Sequence, residues 1–438
     1  MSSPESPLAA VAVRATGPLP RRSLHLTGAC AIVTATGAER GPLSTWDQLG
    51  WVRGQDLVLK QGLGGGWQVA WLGPADAADR PACDTTLDLG GRLLVPGLCD
   101  AHTHAVFAGD RSGEFSQRMA GVSYAELAAA GGGIAHTVRL TRAATLPELI
   151  AHGMRRLGEM ADRGVRVVEI KTGYGLDLAS EVRLLEAIDG LRGRLAGRLQ
   201  LVATAMPAHA VPPEYKADPG RYVEEICLRI LPALAARGGV DFVDIFVERG
   251  YFDVAQAERI WLAARSLGLR LKAHVDEFAD IGGLAWATGH RAVSVEHLLV
   301  TDAQGIQTLA ASDTVAVCLP LTSLFLREGY APMRALVDAG ALVAIATDCN
   351  PGSAMSTNLP LALQIAVLNG RLTAPEALRG ATRTAALALG SPGGWQGRIA
   401  VGEPFVASAL EVDGPDALFY ELGAPPRGSR VLDGLATA

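Results

Sequence analysis

The sequence of 438 residues predicts an α/β fold, a (β/α)8 TIM-like barrel with a small composite β-sandwich domain built from both chain ends. Eight short apolar segments of strand-like composition alternate with helix-like segments, which indicates the barrel. Short β-like segments without helices precede and follow this region, which indicates the second domain. A doubly wound open sheet is the alternative, but no Gly-x-Gly-x-x-Gly turn follows a first strand.

We predict three parts along the chain. Residues 1–23 form a disordered lead, and an early acidic residue and a short, interrupted apolar run argue against a secretory signal. Residues 24–93 and 394–438 form the composite β domain, from segments such as HLTGACAIVTA and DLVLKQG near the start and QGRIAVGEPFVAS, LEVDG and DALFYEL near the end. Residues 94–393 form the barrel.

The eight barrel strands are read from apolar runs bounded by polar loops. They are predicted at residues 94–101, 165–171, 201–206, 242–247, 269–273, 292–295, 314–319 and 342–347. Helix-like spacing between them is clearest at 180–195, 253–267 and 331–339. The whole region has roughly the 250 residues typical of such barrels.

Composition and charge favour a folded protein that acts on a small molecule. With 49% hydrophobic residues, the chain has enough apolar material for a substantial core. A net charge of -6 without a cluster of Lys and Arg argues against a nucleic-acid partner. No run of about 20 apolar residues predicts a membrane span, and six scattered cysteines without a Cys-x-x-Cys pair are typical of the cytoplasm.

Four metal-binding side chains are predicted at strand ends, where barrel enzymes carry their chemistry. His102 and His104 in VPGLCDAHTH are two residues apart, so they project from the same face of a strand. His274 in LKAHVDE and Asp348 in VAIATDCNPGS close two other apolar runs. Three imidazoles and one carboxylate predict a site for one Zn(II) or Fe ion per chain.

This ligand set predicts a hydrolase, because a bound zinc ion lowers the pKa of water to about 7 and makes hydroxide available. Glu277, three residues past His274, is the candidate general base. His297 in SVEHLL is the candidate to polarise a carbonyl oxygen, and Asp348 to pass a proton to the leaving nitrogen. A solvated carboxylate, a buried structural histidine and a helix N-cap are the respective alternatives.

These motifs resemble the imidazolonepropionase family of the amidohydrolase superfamily. The resemblance covers nearly the whole barrel, including PGLCDAHTHAVFAGDR, AGGGIAHTVRLTR, EIKTGYGLD, AHAVPPEYK, HVDEFADIGG and ATDCNPGS. It implies a barrel with a composite β domain, a homodimer, and one Zn or Fe ion held by His102, His104, His274 and Asp348. The implied reaction is hydrolysis of 4-imidazolone-5-propanoate to N-formimidoyl-L-glutamate, a step of histidine degradation.

The resemblance also implies the substrate-binding residues, namely Arg111, Tyr174, His209, Asn350, Gly352 and Ser353. A propionate group needs a cation, and the guanidinium of Arg111 is able to hold a carboxylate with two hydrogen bonds. Without the resemblance, a surface role is favoured for Arg111. A packed aromatic ring for Tyr174 and a structural role for His209 are alternatives. Cys349, where an aromatic residue is usual, and the altered residues after NPGS touch the pocket wall.

Three other readings stay open. One is another mononuclear cyclic amidohydrolase or deaminase that acts on a different heterocycle. The second is a binuclear site in which Lys171 is carboxylated or Glu248 bridges two ions. The third is a non-catalytic barrel that binds or supports a partner, although the predicted ligands and base are all present.

Overall fold

The computed structural model describes residues 15–16, 23–62, 66–122, 131–424 and 426. Its strands form one eight-stranded parallel sheet and two smaller sheets. The predicted (β/α)8 barrel with a small β-sandwich is therefore confirmed. Of the expected N-terminal lead, only residues 15–16 and 23 are described, and they belong to the first two strands below. The rest of that lead lies outside the described residues.

The small domain contains nine strands from both ends of the chain. They are β1 Ala15–Thr16, β2 Ser23–Thr27, β3 Ala31–Val33, β4 Trp51–Val52, β5 Gln55–Gln61, β6 Trp67–Pro74, β7 Thr85–Asp88, β8 Leu93–Pro96 and β17 Ala407–Leu410. One sheet has the order β1-β7-β2-β5-β6 and the other β17-β8-β3-β4. Alternate apolar side chains such as Leu24, Leu26, Leu57 and Leu59 form a shared core.

The barrel contains the eight remaining strands, all parallel and all adjacent in chain order. They are β9 Leu98–Asp100, β10 Val165–Lys171, β11 Gln200–Ala208, β12 Phe242–Val247, β13 Arg270–Val275, β14 Ser294–His297, β15 Val315–Cys318 and β16 Val343–Ile345. A parallel bridge between Thr103 and Cys349 joins the segments that follow the first and last of these strands. The barrel is thereby nearly closed.

The segment 94–101, predicted as one barrel strand, is two strands that belong to different sheets. β8 pairs with β3 and β17 in the small domain, whereas β9 pairs with β10 in the barrel. Gly97 lies between them, and a Cβ atom there would lie 2.6 Å from the Cβ of Arg166. Only glycine lets the chain pass so close to β10. Both halves are buried, so the apolar run gave no sign of the division.

Helices alternate with the barrel strands and cover their outer face. Their bounds are α1 Trp46–Leu49, α2 Ser112–Met119, α3 Ile134–Ala143, α4 Leu146–Asp162, α5 Leu178–Arg194, α6 Pro219–Glu225, α7 Leu231–Arg237, α8 Val254–Ser266, α9 Gly283–Gly289, α10 Ala303–Ala310, α11 Pro320–Leu326, α12 Met333–Asp338, α13 Leu359–Leu368, α14 Ala374–Gly380, α15 Arg383–Ala388 and α16 Ala417–Tyr420. A π-helical turn, Ile226–Ile230, joins α6 to α7. Among the described helices, none has the length and apolarity to cross a membrane.

The segment DALFYEL, predicted as a strand, forms the short helix α16. The side-chain amide of Gln364 donates to the carbonyl oxygens of Leu418 (3.0 Å) and Glu421 (2.9 Å). These bonds satisfy carbonyl groups at the end of the helix, which its own backbone leaves unpaired. The prediction was wrong because this stabilisation comes from α13, more than 50 residues away.

A buried carboxylate holds the two edges of the barrel together. Asp100, the last residue of β9, accepts hydrogen bonds from the backbone N–H (3.0 Å) and the hydroxyl (2.6 Å) of Thr347. Its side chain is inaccessible to solvent, and burial raises the pKa of Asp100 to about 7 despite the two bonds. Asp100 therefore contributes to closure rather than to the predicted metal site.

Substitution of Asp100 is expected to weaken barrel closure. Asp100→Ala leaves the buried N–H of Thr347 without an acceptor, which costs about 1–3 kcal/mol. We expect a lower midpoint of thermal unfolding for the metal-free variant than for the metal-free parent protein. Thr347→Val is the control, because it keeps the backbone bond and loses only the hydroxyl bond, so its decrease is smaller. An unchanged midpoint for Asp100→Ala would contradict this role.

Candidate metal centre and active site

Three histidines converge at the carboxyl end of the barrel. His102 and His104 follow β9, His274 lies in β13, and one ring nitrogen of each lies within 4.8 Å of the others. The Nε2 atoms of His102 and His274 and the Nδ1 atom of His104 are buried without a hydrogen-bond partner. Unpaired buried nitrogens are costly in a folded protein unless a ligand takes them up. The cluster therefore fits a metal ion that prefers nitrogen ligands.

Asp348 adds a carboxylate to this cluster. Its Oδ1 atom lies 3.4 Å from Nε2 of His102 and 4.0 Å from Nε2 of His104. Its Oδ2 atom accepts a hydrogen bond of 2.6 Å from the hydroxyl of Thr322, which fixes Oδ1 toward the histidines. Burial raises the pKa of Asp348 to about 6. Thr322 was not expected to contribute, because a threonine in an apolar segment carries no signal of its own.

Two buried carboxylates orient the histidine rings from beneath. Glu296 lies 2.5 Å from Nδ1 of His102, and Asp244 lies 2.9 Å from Nδ1 of His274. A carboxylate accepts a hydrogen bond only from a protonated nitrogen, so both rings carry the proton on Nδ1 and direct the Nε2 lone pair into the cluster. The arrangement is typical of histidines that bind metal ions.

Two buried lysines hold these carboxylates. Lys171 lies 2.6 Å from Asp244 and 2.9 Å from Glu169, and Lys272 lies 2.7 Å from the other oxygen of Glu169. Burial alone would lower the pKa of Lys171, but Asp244, Glu169 and Glu296 raise it above its usual range. With Glu296, these residues form a network of three carboxylates and two lysines inside the barrel, which we call the interior network.

Sequence reasoning missed most of the interior network. Its members lie on β10, β12, β13 and β14, in the segments VRVVEIK, FVDIFV, RLKAHV and SVEH. The available signal was a charged residue within an otherwise apolar strand that is buried on both faces. Lys171 had been considered only as a carboxylated bridge, and its ammonium group is instead occupied by carboxylates.

Glu277 and His297 lie beside the histidine cluster. Oε2 of Glu277 is 3.5 Å from Nε2 of His297, and the ring centroid of His297 is 5.1 Å from that of His274. Burial, followed by repulsion from Asp348 and Glu248, raises the pKa of Glu277 well above its usual range. His297 is the last residue of β14 and has a φ of 76°, a left-handed conformation that sets the direction of its side chain.

Glu248 supports the loop that carries Glu277. Its carboxylate accepts hydrogen bonds from the backbone N–H groups of Arg249 (2.7 Å), Phe278 (2.9 Å) and Ala279 (3.2 Å). These bonds occupy both oxygens, which sequence reasoning had considered as a bridge between two ions. Glu248 thus fixes the backbone directly after the predicted base.

Tyr174 and His209 lie on the opposite side of the cluster. The ring of His209 stacks on that of His104 with centroids 4.8 Å apart, and its Nδ1 atom lies 3.1 Å from the carbonyl oxygen of Gly173. The buried carboxylate of Glu181 accepts the N–H groups of Gly173, Gly175 and Leu176, which fixes the turn around Tyr174. Glu181 was missed because it reads as an ordinary residue of a helix first turn.

The turn after Asp348 is organised by Asn350. Its side-chain oxygen accepts the N–H groups of Gly352 (2.7 Å) and Ser353 (2.8 Å), and its side-chain nitrogen donates to the carbonyl oxygen of Asp348 (2.7 Å). Asparagine is favoured at such turns because its short side chain replaces a backbone partner. The predicted residues Asn350, Gly352 and Ser353 therefore form one rigid segment beside the cluster.

A cavity of about 650 Å³ opens above the cluster. Its lining includes all of the predicted site residues except His102, which lies beneath it. The residues in question are His104, Arg111, Tyr174, His209, His274, Glu277, His297, Asp348, Asn350, Gly352 and Ser353. Sequence reasoning did not single out the other apolar and cationic residues of the lining, which include Arg118, Phe246, Arg249, Tyr251, Phe278 and Arg327.

Comparison with known sequences identifies similar enzymes. Residues 272–424 match the model of the amidohydrolase family. The chain is 44% identical over 417 residues to an imidazolonepropionase of Chloroflexus aggregans, covering 92% of this chain and 95% of the relative. It is 43% identical over 371 residues to that of Caulobacter vibrioides (84% and 92% covered) and 45% identical over 358 residues to that of Pseudomonas putida (81% and 88% covered).

Solved structures share the fold at low sequence identity. An atrazine chlorohydrolase from Arthrobacter aurescens complexed with zinc has a TM-score of 0.63 and 19% identity, with 92% of each chain covered. An N-isopropylammelide isopropylaminohydrolase from Burkholderia multivorans has a TM-score of 0.64 and 16% identity, with 93% of this chain and 96% of that chain covered. These likenesses support the barrel architecture alone.

Removal of one supporting carboxylate is expected to weaken metal binding. In Asp244→Asn, the ring of His274 loses its anionic acceptor, and losses of about 10–100-fold in metal affinity are typical of such changes. Competition with a chelator, followed by elemental analysis, measures this affinity. Asp76→Asn, an exposed change in the small domain, is the control and should bind metal like the parent protein. Equal affinities for both variants would contradict the role of Asp244.

Proposed function

The chain belongs to the imidazolonepropionase family of amidohydrolases, and on that premise we propose how its residues carry out the family reaction. The reaction is hydrolysis of the cyclic amide of 4-imidazolone-5-propanoate to N-formimidoyl-L-glutamate, in histidine degradation. The observation that supports this assignment most strongly is one cavity that combines a histidine cluster, a buried acid–base pair and a guanidinium group.

We propose that His102, His104, His274 and Asp348 hold one Zn(II) or Fe ion per chain. Their unpaired nitrogens and the oriented carboxylate support this assignment. A bound ion of this kind supplies Lewis acidity, which makes water nucleophilic near neutral pH. The interior network orients the rings of His102 and His274 for this task, because Glu296 and Asp244 each bind the Nδ1 atom of one ring.

Arg111 is proposed to bind the propionate group of the substrate. Its guanidinium lines the cavity, and a planar guanidinium matches a carboxylate with two parallel hydrogen bonds. Tyr174 and His209 are proposed to contact the ring from one side and Asn350 and Ser353 from the other, with Gly352 beside Arg111 and the propionate group. The reacting carbonyl group is then directed toward the metal cluster.

Glu277, His297 and Asp348 are proposed to move the protons of the reaction. Glu277 accepts a proton from water while the water oxygen bonds to the carbonyl carbon. The raised pKa of Glu277 suits it to accept this proton. His297 donates a hydrogen bond to the carbonyl oxygen. The bond between this carbon and its ring nitrogen then breaks, and Asp348 takes the second proton of the attacking water from the new carboxyl group and passes it to the nitrogen. Glu277 afterwards releases its proton to solvent. The products are a new carboxylate and an open formimidoyl group.

We further propose a homodimer located in the cytoplasm. The family resemblance supports the dimer. All six cysteines are free thiols in the structure, and free thiols fit a reducing compartment.

The experiment that tests the function compares three ring compounds with the purified, metal-loaded protein. We expect turnover of freshly generated 4-imidazolone-5-propanoate and not of unsubstituted imidazolone or of a pyrimidine. Arg111→Ala should raise KM for the first compound while the bound metal stays unchanged, because it removes only the carboxylate partner. Equal turnover of unsubstituted imidazolone would contradict recognition of the propionate and favour an amidohydrolase or deaminase for another heterocycle.

Loss of the proposed base should affect kcat rather than substrate binding. Glu277→Gln keeps the size of the side chain and removes its capacity to accept a proton, so we expect kcat to fall by about 10²–10⁴-fold. Elemental analysis should give the same metal content as the parent protein. Glu328→Gln changes another carboxylate of the cavity lining and is the matched control, with kcat near the parent value. If kcat of Glu277→Gln stayed within about threefold of the parent value, this role would be contradicted.

A further inference from the structure

In the residues that the structure describes, the guanidinium of Arg111 is hydrogen-bonded to the protein through one edge. Its Nε atom lies 2.8 Å from Oε2 of Glu114, one helical turn further along the chain. Within the described part of the chain, neither Nη atom has a protein acceptor, although the residue is only 8% exposed and lines the cavity. The free edge is the one that a carboxylate binds with two hydrogen bonds.

Glu114 is held in place by a second segment. Its carboxylate also accepts the backbone N–H of Gly133, at 3.3 Å and 3.2 Å from the two oxygens. Gly133 precedes α3 and has φ 70° and ψ -150°, a conformation that only glycine adopts readily. The side chain of Glu114 is 13% exposed, so this is not a solvated surface ion pair. Glu114 thus connects the start of α2 to the start of α3.

Gly352 borders the guanidinium on its other side. A Cβ atom on Gly352 would lie 2.2 Å from Nη1 and 2.9 Å from Cζ of Arg111. The backbone of Gly352 is not in the left-handed region, so its conformation does not require glycine. The close approach of Arg111 is therefore the reason that a side chain has no room there. The turn built by Asn350 holds Gly352 rigidly at this distance.

We propose that Glu114 and Gly352 are positioning residues that set the specificity of this site for a carboxylate-bearing ring by holding the guanidinium of Arg111 edge-on to the cavity. Glu114 fixes the Nε edge, and the missing side chain at position 352 leaves space for the Nη edge. The inference rests on the proposed function, in which Arg111 binds the propionate. It gives both residues a role that they perform through Arg111. Glu114 does so without contact to the substrate.

The test measures binding and turnover separately. Calorimetry gives the dissociation constants of 3-(imidazol-4-yl)propanoate, a stable ring with the same propionate, and of 4-ethylimidazole, which lacks the carboxylate. We expect Glu114→Ala and Gly352→Ala to raise the dissociation constant of the propionate ligand by about tenfold or more. This is the size of effect that follows loss of a hydrogen bond to a charged group. Binding of 4-ethylimidazole should stay unchanged. With 4-imidazolone-5-propanoate, KM should rise in both variants while kcat remains near the parent value.

Three comparisons separate positioning from general damage to the fold. Glu114→Gln keeps an oxygen acceptor for Nε and should restore most of the affinity lost in Glu114→Ala. In an Arg111→Ala background, Glu114→Ala should cause no further loss, because the residue through which it acts is gone. Gly329→Ala, where an added Cβ meets no atom within 4 Å, and Glu328→Ala are controls that should bind like the parent protein.

The outcomes for the two proposals differ. If the parent protein binds the propionate ligand more tightly than 4-ethylimidazole but does not turn over the imidazolone, the proposed function fails and the positioning of Arg111 stands. If Glu114→Ala and Gly352→Ala bind the propionate ligand as the parent protein does, the positioning inference is overturned. It is equally overturned if the affinity lost in these variants adds to the affinity lost in Arg111→Ala. The same holds if the variants bind both ligands more weakly.

Discussion

The whole site depends on the interior network of three carboxylates and two lysines within the closed barrel. Burying charges is costly, and the cost is offset here only because each lysine meets carboxylates at hydrogen-bond distance. The network carries one more negative than positive charge, and this excess lies beneath the rings of His102 and His274. It orients both imidazoles and favours a cation above them. Loss of a lysine would increase this negative excess, whereas loss of a carboxylate would remove the excess together with a hydrogen-bond acceptor of the network.

A second principle recurs at the mouth of the barrel, where buried or half-buried carboxylates bind backbone N–H groups of the loops. Glu114 holds the loop before α3, Glu181 holds the turn of Tyr174, and Glu248 holds the loop of Glu277. A loop over a cavity cannot satisfy all its own N–H groups, and each carboxylate supplies the missing acceptors. The side chains that line the cavity are therefore positioned by neighbours that are not part of its lining.

The sequence was sufficient for the barrel and for the convergence of the site, because polar residues at the carboxyl ends of parallel strands meet at one rim. His274 was recognisable in this way, since an apolar run ends close to it. Lys272, two residues earlier, was not, because a charge within an apolar run has no partner visible in the sequence. Glu248 was considered from the sequence as a bridge between two ions, because its actual contacts lie 30 residues further along the chain. The division of 94–101 between two sheets equally depends on long-range pairing.

Pairing of β8 with β17 has a consequence for the order of assembly. β8 ends six residues before the first histidine of the cluster, and its partner strand begins at Ala407, more than 300 residues later in the sequence. During synthesis, the strand that anchors the histidine pair stays without one neighbour until the segment that begins at Ala407 has left the ribosome. Contacts this distant in sequence form slowly. The anchor of the histidine pair is therefore completed only when this long-range pairing has formed.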